Sequence, residues 1–128
     1  MTPYFDPARS GDDERVVIAG PQTRVGGEAV TSLALVLHEL ATNAAKYGAF
    51  STERGRVHVS WAAKGGRLLL TWEERGGPPV KGAPAREGFG SLLARRSVAG
   101  QLNGELAFDW AAKGLTVRLS APMERLTP

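Results

Sequence analysis

The stretch LVLHELATNAAKYGAF, Leu35–Phe50, decides how the chain is read. Its alanines and leucines, broken first at Gly48, predict a helix, and the pattern extends back through EAVTSLA to near Glu28. At about 100° per residue, Glu39, Asn43 and Lys46 share one narrow stripe, with Leu33, Leu37, Ala41 and Ala44 on the opposite side. A polar stripe is ordinarily a solvated helix face. Two features set this one apart: Asn43 stands mid-helix, where asparagine is a poor helix former, and Ala41, Ala44 and Ala45 around it leave room for close approach. A carboxylate and a carboxamide one turn apart can together hold a hydrated divalent cation, the amide oxygen serving as a hard neutral ligand. Lys46, one turn further, can meet a phosphate.

Working outward, Arg15 to Ala19 (RVVIA) reads as a short strand ended by Gly20-Pro21, and Val25-Gly26-Gly27 leads into the helix. The opening segment, residues 1–14, is polar with two prolines and reads as a linker or frayed end. After the helix, Val57, Val59 and Trp61 alternate on one strand and Leu68, Leu70 and Trp72 on the next, with Lys64-Gly65-Gly66 as the turn of a hairpin. GGPPVKGAPAREG, residues 76–88, is too rich in glycine and proline for regular structure and is long enough to be a functional loop. A second helix is expected from Ser91 to about Gln101, entered through Gly88-Phe89-Gly90 and left through Asn103-Gly104. Leu106, Phe108 and Trp110, a turn at Lys113-Gly114, then Leu115, Val117 and Leu119 make a closing hairpin, with residues 123–128 as a tail. The order strand, helix, hairpin, loop, helix, hairpin predicts an α+β fold, a two-layer sandwich in which helices cover one face of a mixed, mostly antiparallel sheet.

Composition bounds what such a domain does. A chain of 128 residues, 42% apolar and 23% charged, forms one globular domain over residues 15–122. With no cysteine, disulfides, thiol catalysis and thiolate metal sites are excluded, and two histidines argue against structural zinc. Asp6, Arg9, Asp12, Asp13, Glu14 and Arg15 interrupt the first thirty residues, so a signal peptide or membrane span is not expected and a cytoplasmic domain is. The net charge of +3 comes without a basic block or interleaved aromatics, so no nucleic-acid surface is suggested.

Here the residues reach a resemblance. HELATNAAKYG, His38–Gly48, resembles the N box of the GHKL nucleotide-binding fold shared by bacterial histidine kinases and certain ATPases. The resemblance implies ATP and Mg2+ as ligands, Asn43 as the magnesium ligand, Glu39 as the acidic residue at the general-base position of the ATPase members, and Lys46 and Tyr47 as phosphate contacts. LTWEERGGPPV follows, where Glu74 with Gly76 and Gly77 sets an acceptor carboxylate at a strand end beside closely approachable backbone. Related kinases use an aspartate here to read the adenine amino group. Glutamate behind a tryptophan, together with His38, is the pattern of the HWE subclass of histidine kinases. Taken alone, Trp72 is core and Glu74 a solvated strand end.

Gly88-Phe89-Gly90-Ser91-Leu92 resembles the glycine box that closes the ATP lid, which makes residues 76–88 the lid and Gly76, Gly88, Gly90, Ser91 and Leu92 nucleotide contacts. Free N–H groups at a helix start favour an anion, although glycine pairs are commonly turns. Gly114-Leu115-Thr116-Val117 resembles the final box, where the Thr116 hydroxyl would support the adenine-reading carboxylate. Arg95 and Arg96 are within reach of phosphate, with a solvated face the plainer account of both. His38 would orient Glu39 or touch phosphate, a structural helix contact being the other account. His58 is expected to be exposed.

The reaction implied is transfer of the ATP γ-phosphate to a histidine on a separate dimerisation or phosphoacceptor domain, and from there to a response regulator. The domain itself is expected to be a monomer. Within the same fold an ATPase or an anti-sigma-type serine kinase stays open, as does a docking module that binds no nucleotide.

Overall fold

The computed structural model describes residues 15–84 and 88–128; the expected linker at residues 1–14 lies outside them. The elements run β1 (Val16–Ala19), α1 (Gly27–Tyr47), a 3-10 turn (Ala49–Ser51), β2 (Arg56–Lys64), β3 (Arg67–Arg75), α2 (Phe89–Gln101), β4 (Glu105–Ala111), β5 (Gly114–Pro122) and a second 3-10 turn (Met123–Arg125). The five strands form one sheet in the order β1-β2-β3-β5-β4. Among the described residues only β1 pairs in parallel, Val16 opposite Val57 and Ile18 opposite Val59, because α1 provides the crossover that parallel neighbours need. The remaining pairs are antiparallel.

Local chemistry makes the hairpins. Gly65 and Gly66 both take positive φ, 60° and 75°, which a two-residue turn matching strand twist requires. This turn sets Lys64 opposite Arg67, and the register then carries Val57 opposite Glu74 and Val59 opposite Trp72. Val57, Val59, Leu68, Leu70, Trp72, Val117 and Leu119 therefore share the inner face and are buried, while His58 on the other face is exposed. The second turn sits one residue earlier than expected: Ala111 pairs with Gly114, so Ala112 and Lys113 make the connection and Gly114 begins β5.

Both helices lie on the inner face. The stripe that α1 buries is Ala29, Ser32, Val36, Leu40 and Ala44, rotated from the one expected, with Leu33, Leu37 and Ala41 packed at its border. The rotation has a cause in α2: Ser97 donates to Ser32 Oγ at 3.0 Å, so α1 faces its neighbouring helix as well as the sheet. Helix α2 begins two residues before Ser91, buries Ala94 and Val98, and ends where Asn103 turns left-handed at φ 51°. No described helix is long and apolar enough to cross a membrane.

The expected tail is part of the packed unit. Met123 N–H donates to Gly66 O at 2.9 Å, Leu126 O accepts from Gly26 N–H at 2.7 Å, and the Leu126 side chain is fully buried. Its isobutyl group joins the buried core, a placement that sequence separation hides. Leu126→Ala is expected to destabilise the domain by about 2–5 kcal/mol in urea unfolding with an unchanged m value; a solvated tail residue would give a change within about 0.5 kcal/mol.

Candidate nucleotide-binding site

A cleft of about 890 Å³ opens between α1, the loop after β3, the start of α2 and the inner faces of β4 and β5. That is within the range of small-molecule sites. Asn43 on α1 and Gly48 just past its end mark two chemically different regions of the cleft.

The first region joins the two helices. Ser91 Oγ donates to Glu39 Oε1 at 3.4 Å and accepts from Asn43 Nδ2 at 3.3 Å. Gly90 has no side chain for a reason visible here: a Cβ on it would overlap the Glu39 carboxylate. The carboxylate thus lies over the first turn of α2, where N–H groups have no partner within the helix and the dipole favours negative charge. With Nδ2 held by Ser91, Asn43 keeps Oδ1 as the atom to offer a cation. Glu39 and Asn43 supply hard oxygen, the donor type that suits Mg2+, and their small number suits an ion held largely by phosphates and water. Lys46 and Lys81, both exposed, and Arg95 also line the cleft, which sets cationic groups around any bound polyanion.

The second region is built on the sheet. Glu74 is 5% exposed, and both of its oxygens are engaged: Oε1 accepts from Ala49 N–H at 3.0 Å and Oε2 from the Trp72 indole N–H at 2.9 Å. Strand alternation puts Trp72 and Glu74 on one face, so the Trp-x-Glu spacing is the geometry of this bond. Gly48 admits the carboxylate, since a Cβ there would overlap Oε1. Phe108 and Trp110 stack at 5.8 Å between centroids and, with Leu115, offer the cleft an apolar wall.

Of the residues singled out in the sequence, Glu39, Asn43, Lys46, Tyr47, Glu74, Gly88, Gly90 and Ser91 line this cleft, Tyr47 at its mouth with 74% exposure. The others do not. His38 is exposed and off the cleft, since one residue's step carries it about 100° round α1 from Glu39. Gly76, at φ 79°, packs on protein backbone instead of a ligand: a Cβ there would lie 2.5 Å from Arg54 O. Leu92 is half-buried outside the lining. Thr116 pairs with Glu73, so its hydroxyl is on the sheet face opposite Glu74, and the β5 residue that lines the cleft is Leu115. Glu74 is not a solvated strand end.

Residues 78–84 of the expected lid line the cleft; sequence reading missed Phe108, Trp110 and Leu115 as cleft walls, and it discounted Arg95. Their signal was the inward alternation on β4 and β5, which reads equally as core. Arg95 donates to Leu106 O at 3.1 Å, and its guanidinium carbon sits 5.1 Å from the Phe108 ring centroid, which aims it at the cleft instead of away from it.

A mixed five-stranded sheet under two helices, with a cleft between helix and loop, is the architecture of histidine kinase catalytic domains. Comparison with solved structures bears this out: the histidine kinase domain of the blue-light-activated kinase EL346 from Erythrobacter litoralis superposes with a TM-score of 0.72 at 25% identity, covering 89% of this chain and 57% of that one. The catalytic domain of histidine kinase ThkA superposes with a TM-score of 0.65 at 15% identity, covering 86% and 80%. Among curated proteins, blue-light-activated histidine kinase 1 of Erythrobacter litoralis is 40% identical over 127 residues, 98% of this chain and 35% of that protein. A blue-light-activated histidine kinase of Brucella anthropi is 40% identical over 121 residues, 91% of this chain and 24% of that protein. No protein-family model matches the chain. The chain belongs with the catalytic domains of histidine kinases, consistent with the HWE subclass, and it spans about a third or less of the curated relatives it matches.

Trp72→Phe keeps the ring in the core and removes the donor to Glu74. It is expected to cost at least about 1.5 kcal/mol in chemical unfolding, the usual range for a bond to a charged group. Trp61→Phe, whose indole N–H bonds the Pro21 carbonyl at the surface, should cost less.

Proposed function

We propose that the domain binds ATP with Mg2+ and transfers the γ-phosphate to a histidine on a separate dimerisation or phosphoacceptor domain, from which a response regulator takes it. The observation that carries this reading is the meeting of Glu39, Asn43, Gly88, Gly90 and Ser91 with Glu74 in one cleft. These residues come from distant parts of the chain, and each has the chemistry its place needs.

Phosphoryl transfer depends mostly on positioning and charge neutralisation. Bound Mg2+ would neutralise phosphate charge and align the triphosphate, with Asn43 Oδ1 its protein ligand and Glu39 near enough to hold its water. Lys46 and the backbone of the loop after β3 offset the remaining phosphate charge. Glu74 reads the adenine amino group through a lone pair left over by Trp72 and Ala49, and Phe108, Trp110 and Leu115 provide apolar surface for the base. The attacking imidazole nitrogen bonds the γ-phosphorus as the bond from phosphorus to the β–γ bridging oxygen breaks and ADP leaves. Glu39 orients the imidazole by accepting its other ring N–H. Because Ser91 ties Glu39 to Asn43 across the two helices, the same hydroxyl keeps both groups at one side of the cleft.

Calorimetric titration with a non-hydrolysable ATP analogue is expected to give magnesium-dependent, adenine-selective binding, with EDTA and a GTP analogue as controls. Asn43→Ala should remove the magnesium dependence with at least about a tenfold loss of affinity, or 1.4 kcal/mol, and an unchanged fold by circular dichroism. Glu74→Gln should reduce the preference for adenine over guanine. Wild-type domain that binds neither analogue in either condition would refute this reading.

A further inference from the structure

Arg15 directly precedes β1 and enters no box of the nucleotide site, yet its side chain is tied to that site's framework. Its Nε donates to Gly55 O at 3.2 Å, Nη2 donates to Ala49 O at 3.1 Å and to Thr52 O, and the guanidinium carbon sits 5.4 Å from the Phe50 ring centroid. The Arg15 carbonyl accepts from Val57 N–H at 2.8 Å, which anchors the residue to β2. One planar fork therefore gathers carbonyls from both ends of the turn that follows α1, a task for which guanidinium geometry is suited and an ammonium is not.

The turn leads to the cleft. Ala49 is gripped at both backbone groups: its carbonyl by Arg15, its N–H by Glu74 Oε1 at 3.0 Å. On its far side the turn packs against the root of the loop that roofs the cleft. Thr52 Oγ1 donates to Gly76 O at 2.8 Å, and a Cβ on Gly77 would lie 2.9 Å from Ala49 Cα. Glu74 has its second oxygen on Trp72. Loss of the Ala49 contact would leave the carboxylate held at one oxygen and free to turn about its terminal bond.

We infer that Arg15 is a positioning residue for the base-reading end of the cleft: by fixing Ala49 it sets the direction of the Glu74 carboxylate and, with it, the preference for adenine. The inference rests on Glu74 being the adenine acceptor. Arg15 touches no substrate and acts through the peptide groups of residue 49.

The test compares Arg15→Gln, Arg15→Lys and Glu74→Gln in this domain by calorimetry with ATP and GTP analogues, and by the indole N–H resonances of the tryptophans without ligand. Arg15→Gln is expected to weaken ATP-analogue binding about tenfold, to leave GTP-analogue binding unchanged, and to shift the Trp72 resonance while that of Trp110 stays. Arg15→Lys, which keeps charge and stem, should lie between wild type and Gln, and it carries the test if Arg15→Gln does not fold. A lowered Tm with an unchanged adenine-to-guanine ratio and an unmoved Trp72 resonance would overturn the inference, leaving Arg15 a structural staple. If Glu74→Gln itself leaves the adenine preference intact, the acceptor reading fails, and the Trp72 resonance of the Arg15 variants then decides alone whether Arg15 positions the carboxylate.

Discussion

A carboxylate can be buried in a protein only if its charge is met by donors, because desolvation otherwise costs several kcal/mol. Glu74 is buried at the inner end of β3, and the rest of the site is arranged around meeting that demand. Trp72, two residues back on the same strand face, supplies one donor; the Ala49 N–H, at the start of the turn after α1, supplies the other. To bring that N–H close, α1 must end where it does, Gly48 must lack a side chain, and the turn must bend back over the end of the sheet. One side chain thus ties helix to sheet at the point where the cleft opens.

The two regions of the cleft differ in construction, and the difference fits the tasks proposed for them. The end around Glu74, proposed to read the base, has sheet beneath it, with its donors set by strand register and by the turn that Arg15 contacts. The end proposed for the phosphates has two helices joined through Ser91, with one wall supplied by the loop after β3. Helix N-termini and side-chain amides tolerate a range of phosphate and cation positions, whereas selecting one base needs an acceptor held in a single direction. An acceptor held by two donors at one end and cationic side chains at the other are what the proposed binding of ATP calls for.

Local signals carried far in this chain. The helices, the two-glycine hairpin turn and the inward alternation on β2, β3 and β5 depend on residues within one or two turns of each other, and they are seen where the sequence puts them. The N-box stripe was legible for the same reason: Glu39, Asn43 and Lys46 are spaced by helical pitch alone. Alternation along β5 also turns Thr116 away from the face that Leu115 and Val117 share; likeness to a glycine box suggested a role for its hydroxyl that the strand register does not allow.

By itself the sequence determined the element order, the face of each strand that turns inward, and the polar stripe of α1, since these follow from backbone periodicity and steric limits on a few neighbouring residues. Tertiary structure decided what those residues meet. Glu74 could have been solvated or buried until β3 was packed beside the end of α1, and Gly76 faced a ligand or a backbone according to where Arg54 came to lie. The burial of Leu126 and the reach of Arg15 to carbonyls 34 to 40 positions away are likewise outcomes of chain closure. Such contacts form between segments that are neighbours only after the core has excluded water, and no local pattern encodes which partner will be there.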